Sequence, residues 1–345
     1  MTDTAVVILN FNGRKYLEKF LPSVIVHSAE ASIVVVDNAS TDDSLSYLQS
    51  NHSELEVISL PKNLGFTGGY NEALNQINAD IFVLLNTDVE VTRDWLRPIV
   101  NQMKANPAIA ACQPKILSYK QKDQFEYAGA AGGFIDYLGY PFCRGRIFQS
   151  LEKDQGQYND SIPVFWASGA CLFLRKDTFF EMGGFDEDYF AHMEEIDLCW
   201  RMQNAGYSIL YNGHSTVYHV GGGTLSHSNP RKTYLNFRNG LSMFMKNEKP
   251  GRLWWKLPFR GFLDIIAAFK FILADSRKDA VAVIKAHFDF WMSLSTNIGK
   301  RREAKKLWSK KNPNLRIYKG FIVLDHFLLR KMKFSQISAG EKQQF

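Results

Sequence analysis

Paired cysteines are missing from this 345-residue sequence: Cys112, Cys143, Cys171 and Cys199 stand far apart, with no CxxC pair among them. That spacing excludes a disulfide framework and fits a reduced, cytosolic-side compartment. Long apolar runs are missing too. Met1-Thr2-Asp3-Thr4 carries no basic residue, and the apolar run behind it, Ala5 to Leu9, spans five positions, so no secretory signal is expected. The richest apolar window, 262–274, is broken by Asp264 and Lys270, short of the ~18 uninterrupted residues of a spanning helix. No G-X-Y period or heptad array points to a fibre. No helix-turn-helix, zinc-finger or RNA-recognition signature is present, so no nucleic-acid partner is expected.

What is present is an ordinary globular composition, 46% hydrophobic and 22% charged, with its charge unevenly spread. Up to Leu225 there are 16 basic and 27 acidic residues, a net −11; from Ser226 onward there are 25 and 8, a net +17. An acidic body with a basic tail calls for an anionic partner of the tail.

The first hundred residues alternate between two textures. Ala5-Val6-Val7-Ile8-Leu9, Ile33-Val34-Val35-Val36 and Ile81-Phe82-Val83-Leu84-Leu85 are short apolar runs that end at polar residues. Runs of this kind fit strands buried on both faces of a parallel sheet. Helix-like stretches at 15–27, 44–49 and 69–77 lie between them, which predicts βαβ units and an α/β fold. The three strand ends are Asn10-Phe11-Asn12-Gly13, Asp37-Asn38 and Asn86-Thr87-Asp88. In such sheets ligands bind beyond the carboxyl ends of the strands, although Asn, Asp and Gly also serve turns. Residues 118–163 are expected as an irregular insertion, and an ordered block follows from Val164.

Four further motifs carry candidate chemistry. Asn63-Leu64-Gly65-Phe66-Thr67-Gly68-Gly69 suits either a phosphate-approaching glycine loop before a helix or a plain tight turn. Asn86 and Asp88, two apart, point the same way along a strand and could address one ligand, Asp88 through Mg²⁺ or Mn²⁺. Glu194, Glu195 and Asp197 put three carboxylates into four positions: either a negatively charged helix start or a source for a general base. His219, ahead of Gly221, is a metal-ligand candidate or a core histidine. With His214 and His227 it could imitate a zinc set, but no paired cysteine supports one.

Taken in order, these motifs, together with Ser168-Gly169-Ala170 and Gly184-Phe185-Asp186-Glu187, resemble glycosyltransferase family 2 over residues 4–246. The likeness is to its rhamnosyltransferase-like branch of bacterial surface-polysaccharide synthesis. The resemblance implies a GT-A fold, a mostly parallel nucleotide-binding sheet flanked by helices, over a catalytic domain at 1–249. It implies an inverting, non-processive transfer of one sugar, such as rhamnose or a related hexose. The donor would be a nucleotide-sugar and the acceptor a lipid-linked saccharide. By the same resemblance Asp37 meets the donor base. Asn10, Asn12, Asn63, Gly65 and Asn86 line the nucleotide site. Asp88, with His219, binds Mg²⁺ or Mn²⁺. Asn86 departs from the family's usual first Asp. Glu195 stands at the position of the catalytic base, with Glu194 as the alternative. Arg238-Asn239 resembles a further family element without a derivable role. A processive synthase would carry a QxxRW motif and spanning helices, and neither is found. A nucleotidyltransferase would need a basic glycine-rich loop that Asn10 to Gly13 does not supply. A non-catalytic scaffold on the same fold is the remaining alternative.

Beyond Lys249 the sequence is aromatic-rich and basic, and 250–345 is expected as a helical extension. At 100° per residue, Lys256, Arg260, Asp264, Lys270, Asp275 and Lys278 share one stripe and the rest is apolar. Tryptophans 254 and 255 stand at its start. This fits a helix lying on an anionic membrane surface, or one packed on the body or on a second subunit. Lys300-Arg301-Arg302, Lys305-Lys306 and Lys310-Lys311 add positive charge suited to lipid headgroups. The expected location is the inner face of the cell membrane, as a peripheral protein.

Overall fold

The computed structural model of the protein describes residues 3–221, 229–309 and 315–338. His227 and Lys310-Lys311 lie outside the described residues. The apolar runs of the N-terminal half fold as β1 (Thr4–Asn10), β2 (Ser32–Asp37), β3 (Glu56–Ser59) and β4 (Ile81–Asn86). Helices α1 (Arg14–His27), α2 (Ser44–Asn51) and α3 (Gly65–Leu74) connect them. Next come β5 (Val89–Val91), α4 (Arg97–Ala105) and β6 (Ile109–Ser118). The stretch expected to be irregular holds short strands β7 (Gly133–Asp136), β8 (Pro141–Cys143), β9 (Arg146–Ile147), β10 (Ser150–Leu151) and the start of β11 (Ser161–Val164). Strands of two to four residues carry too little periodicity to stand out in a sequence. After it run β12 (Cys171–Arg175), α5 (Lys176–Glu181), α6 (Glu194–Ala205) and β13 (Ser208–His219).

The nine-stranded sheet has the order β11-β13-β6-β12-β4-β1-β2-β3, with β5 also on β13. β3, β2, β1 and β4 are mutually parallel, as are β6 and β13, while β12 runs antiparallel to both β4 and β6. Six strands therefore share one direction. Alternate residues feed two cores: Val7, Val34 and Leu84 pack with Tyr70 and Leu74 of α3. Val6, Val35 and Val83 pack with Leu17 of α1 and Ile99 of α4. Register sets the strand ends level, with Asn10 opposite Asp37 and Leu9 opposite Asn86.

The C-terminal part is helical: α7 (Pro230–Asn247), α8 (Pro250–Leu273), α9 (Arg277–Met292) and α10 (Leu294–Lys306), then β14 (Ile317–Tyr318), α11 (Ile322–Phe327) and α12 (Phe334–Ser338). This extension is woven into the body. β14 pairs with β7 at the edge of a five-stranded sheet, β10-β9-β8-β7-β14. The polar stripe of α8 faces inward: Lys256, Arg260 and Asp264 are buried, and much of the apolar side is exposed. Periodicity defines a stripe but not which side meets the body. Tyr140 and the carbonyls of Leu138 and Gly139 supply the partners that draw the charges in. No described helix is long and apolar enough to cross a membrane.

Candidate active site

The strand ends are tied together by side-chain amides. Asn10 Nδ2 donates to Asp37 Oδ1 and to Ser40 Oγ, both at 3.1 Å, and Ser40 N donates to Asp37 Oδ2 at 3.0 Å. Asn12, at φ 51°, turns its Oδ1 to accept from Thr41 N at 2.7 Å. Asn38, from the second of the strand ends, holds the neighbouring turn: its Nδ2 reaches Asn63 Oδ1 at 3.2 Å and Gly65 O at 2.9 Å. Its Oδ1 accepts from Leu64 N at 2.9 Å. Asn10, Asn12, Asp37, Asn63 and Gly65 thus belong to one connected rim.

Gly65 has a sharper role than a generic glycine loop. Helix α3 begins at Gly65, four residues earlier than its glycines suggested, since Gly68 and Gly69 lie inside it. Gly65 sits at φ +71°, and a Cβ there would come within 2.5 Å of the Phe190 ring. That close approach lets Phe190 O accept from Phe66 N at 2.8 Å. The rim is thereby joined to a strap, residues 187–193, that leads into α6.

The strap is strained and tightly held. Phe190, His192 and Met193 have φ of 63°, 70° and 73°, a left-handed region that costs non-glycine residues about 1–2 kcal/mol each. Asn239 of α7, fully buried, donates from Nδ2 to the carbonyls of Tyr189, Ala191 and His192 at 3.1, 3.0 and 2.8 Å. Arg238 adds a bond to Asp188 O at 2.5 Å and two to Asn239 Oδ1. The Arg238-Asn239 element therefore fixes the backbone just ahead of the acidic pair.

The three carboxylates of α6 separate by environment. Asp197 is committed to structure: it pairs with Arg201 and Lys246, each at 2.9 Å, and accepts from Asn247 Nδ2 at 2.7 Å. Glu194 and Glu195 each keep a buried Oε2 without a hydrogen-bond partner, as does His192 at Nε2. Burial and the adjacent Glu195 raise the Glu194 carboxyl well above its usual range. Burial also raises Glu195, against the pull of backbone amides that include Gly169. Burial lowers His192 to about 4, with Lys232 adding to the effect. Free, desolvated carboxylates with raised proton affinity are what proton abstraction near neutral pH requires. Gly169 connects this pair to the sheet, because the next residue, Ala170, accepts from Asn86 N at 3.1 Å.

Beyond Asn86, β5 pairs with β13 and brings His219 opposite Val89. His219 Nε2 lies 3.1 Å from Asp88 Oδ1, and its Nδ1 lies 3.2 Å from Glu126 Oε2. All three are buried. Burial disfavours the imidazolium, but Glu126 and Asp88 outweigh it and raise His219 to about 10. His219 in turn brings both carboxyls below their usual range against the opposing effect of burial. Glu126 lies in the stretch read as irregular, where no motif marks it. His214 is exposed and outside this group.

Asp88 and His219 would offer a cation one carboxylate oxygen and, once the ring gives up the proton that it shares with Asp88, one imidazole nitrogen. Among the described residues no three His, Cys, Asp or Glu side chains are grouped to hold an ion by themselves. That donor set fits a Mg²⁺ or Mn²⁺ that draws its other ligands from phosphate oxygens and water. A separate cavity of about 450 Å³, lined by Gly183, Asp186, Lys300 and Leu307 among others, includes none of the strand-end residues. Its Lys246 and Lys300 are already paired with Asp186.

Comparison with known proteins identifies the family and the fold. The family model "Glycosyl transferase family 2" matches residues 5–179. The chain is 26% identical, over 75% of its length and 89% of the relative's, to the N-acetylglucosaminyl-diphospho-decaprenol L-rhamnosyltransferase of Mycobacterium tuberculosis. Among solved structures it resembles the mannosyltransferase PcManGT of Pyrobaculum calidifontis in complex with GDP-Man and Mn²⁺. There the TM-score is 0.52 at 16% identity, covering 88% of this chain and 83% of that one. It also resembles GalNAc-T7 with UDP, GalNAc and Mn²⁺, with a TM-score of 0.55 at 17% identity, covering 71% of this chain and 48% of that one. These structural likenesses establish a GT-A glycosyltransferase fold.

Proposed function

The chain belongs to glycosyltransferase family 2, and from that premise we propose that it moves one sugar from a nucleoside-diphosphate donor to a lipid-linked saccharide, inverting the anomeric centre. The observation that carries this reading is the acidic pair: buried, unpartnered oxygens on Glu194 and Glu195 beside the rim of strand ends. Glu195, next to Gly169, takes the proton of the acceptor hydroxyl as that oxygen attacks the anomeric carbon from the face opposite the leaving diphosphate. One displacement of this kind inverts the centre, as a single base does in inverting glycosidases. Glu194 is the alternative base.

Asp37 and Asn10 receive the nucleotide base, with Asn12, Asn63, Gly65 and Asn86 bordering ribose and phosphates. Asp88 and His219 would hold Mg²⁺ or Mn²⁺. Such an ion offsets negative charge on the departing diphosphate. Support for a polyprenyl-linked acceptor and a rhamnose-like donor comes from the activity named for the mycobacterial relative. Such an acceptor would place the enzyme on the cytoplasmic face of the membrane as a peripheral protein.

The test is release of nucleoside diphosphate from a panel of nucleotide-sugars with divalent metal and polyprenyl-diphosphate saccharides. Acceptor-dependent release is expected from at least one donor. Silence across the panel, with donor binding intact, would overturn the proposal in favour of a non-catalytic scaffold.

A further inference from the structure

Helices α8 and α9 form a hairpin, joined by residues 274–276, whose polarity is inside out. On α8, Lys256, Arg260 and Asp264 are only 1, 3 and 1% exposed. Lys256 donates to Glu248 at 2.6 Å and Arg260 to Leu138 O at 3.0 Å. Asp264 accepts from Tyr140 at 2.7 Å and faces His287 Nε2 at 3.0 Å. On the opposite side of α8, Phe262, Ile265, Phe269 and Leu273 are 56, 55, 63 and 88% exposed. Helix α9 packs on α7 through Thr233–Asp279 and Tyr234–Asp289 bonds of 2.6 and 2.7 Å. Its outer stripe of Ile284, Phe288 and Trp291 is 64, 64 and 52% exposed. The end of α11 joins the same surface, since Lys270 Nζ sits 3.7 Å from the centre of the Phe327 ring. Leu328 and Leu329 follow it, both exposed.

Taking about 200 Å² for each large side chain when fully exposed, the seven helical residues alone present on the order of 900 Å² of mostly apolar surface. A typical monomer's largest apolar patch is about 300–600 Å². Periodicity shows that this is no accident of one residue: the exposed positions recur every three or four residues along both helices.

The charges around the patch identify what covers it. Arg252, Lys270, Arg277, Lys278 and Lys285 are exposed along the hairpin, Lys285 paired with the half-buried Asp289, against one exposed acid, Asp275. A two-fold pairing of chains would set this cationic rim against itself. A surface with an apolar interior and anionic heads matches both features. Trp254, at 77% exposure, and Trp291 suit the boundary between them.

We infer that the α8–α9 hairpin, with the end of α11, is a plate that seats in the headgroup region of an anionic lipid bilayer without crossing it. Its apolar side chains enter the acyl boundary and its cations meet the phosphates. The seating rests on the lipid-linked reading for its purpose, but it needs no sugar transfer to occur.

The experiment is co-sedimentation of the full chain with phosphatidylglycerol–phosphatidylcholine vesicles and with phosphatidylcholine vesicles. Transfer to a short-chain, water-soluble acceptor is measured in parallel. Wild type is expected to bind the anionic vesicles and to lose binding as salt is raised. The exposed triple variant Ile265→Glu, Phe269→Glu, Phe288→Glu is expected to bind at least about tenfold more weakly. Lys270→Glu with Lys278→Glu should weaken binding by about fivefold or more for each cation. Melting and short-chain transfer should be unchanged in both variants. A wild type that stays in the supernatant, variants that sediment like wild type, or a solution dimer that the triple variant splits would each overturn the plate. Vesicle binding as expected without transfer to any acceptor would overturn the proposed function and leave the plate standing.

Discussion

Glu194 is buried and the adjacent Glu195 half-buried, each keeps one buried oxygen without a partner, and that combination has opposite consequences for catalysis and for folding. Both carboxyls take up protons more readily in the fold than in the open chain, whose ordinary value is 4.5. The folded state therefore binds more protons, and stability falls as pH rises above that value. Glu194→Gln removes one buried charge, so its melting temperature is expected to exceed wild type at pH 8. The gap should close as pH falls towards 4.5, and a pH-independent gap in thermal melts would sink this account. Glu195→Gln should lower turnover by about a hundredfold or more while donor affinity holds. If Glu194→Gln alone produces that loss, the base is Glu194. The acid limb of turnover should lie above the range of an ordinary glutamate, because only the deprotonated carboxyl can accept a proton. Glu126 acts at one remove: its carboxylate faces His219 Nδ1 and orients Nε2 towards Asp88. Glu126→Gln is expected to weaken Mn²⁺ binding by about 10–100-fold, measured by titrating the metal in the presence of nucleoside diphosphate. Unchanged affinity would show that the carboxylate is not needed for the ring's orientation.

Elements decide where those residues point, and α7 does so for the acidic pair. Asn239 satisfies three carbonyls of a strap whose left-handed residues would not hold that shape alone. Asn239→Ala should destabilise the fold by about 1–3 kcal/mol. It should also lower kcat more than it raises the donor KM, because the base moves while the rim stays. Equal loss of both constants, measured at a temperature where the variant is folded, would argue against a positioning role. This contact also marks how far the sequence could be read. Strand ends such as Asn10, Asp37 and Asn86 were legible because each closes a local apolar run, and parallel pairing then sets them level. Asn239 reaches a backbone 50 residues away, and Glu126 sits among glycines and tyrosines with no period. Such contacts are created by packing and leave no local trace. The sequence predicts a later start for helix α3 because glycine is a poor helix former. Its early start is set by the Asn38 bonds and by the approach of Phe190, which only a glycine at 65 permits.

Across the whole molecule the acidic body and the basic tail are partly each other's partners. Lys246 and Lys300 reach Asp186, and Lys300 also meets Asp188 at 2.5 Å. Against the opposing effect of burial, these cations hold the Asp186 carboxyl well below its usual range. The tail also completes the second sheet and its core. β14 pairs with β7, Ile322 N donates to the buried Asp136 at 3.0 Å, and Phe134 and Phe142 pack on Phe334. A chain stopped after Glu248 would leave Asp136, Tyr140 and the carbonyls of Leu138 and Gly139 without these partners. It would also strip cover from the aromatic cluster. Each lost hydrogen bond removes about 0.5–1.5 kcal/mol net, and with the lost apolar cover the total approaches the roughly 5–15 kcal/mol that a whole domain has. The truncated chain is therefore expected to aggregate or to melt without cooperativity, although it keeps every candidate catalytic residue. Soluble expression, a single sharp melting transition and donor binding by the 1–248 fragment would show instead that the catalytic body stands alone and that the tail is a dispensable attachment.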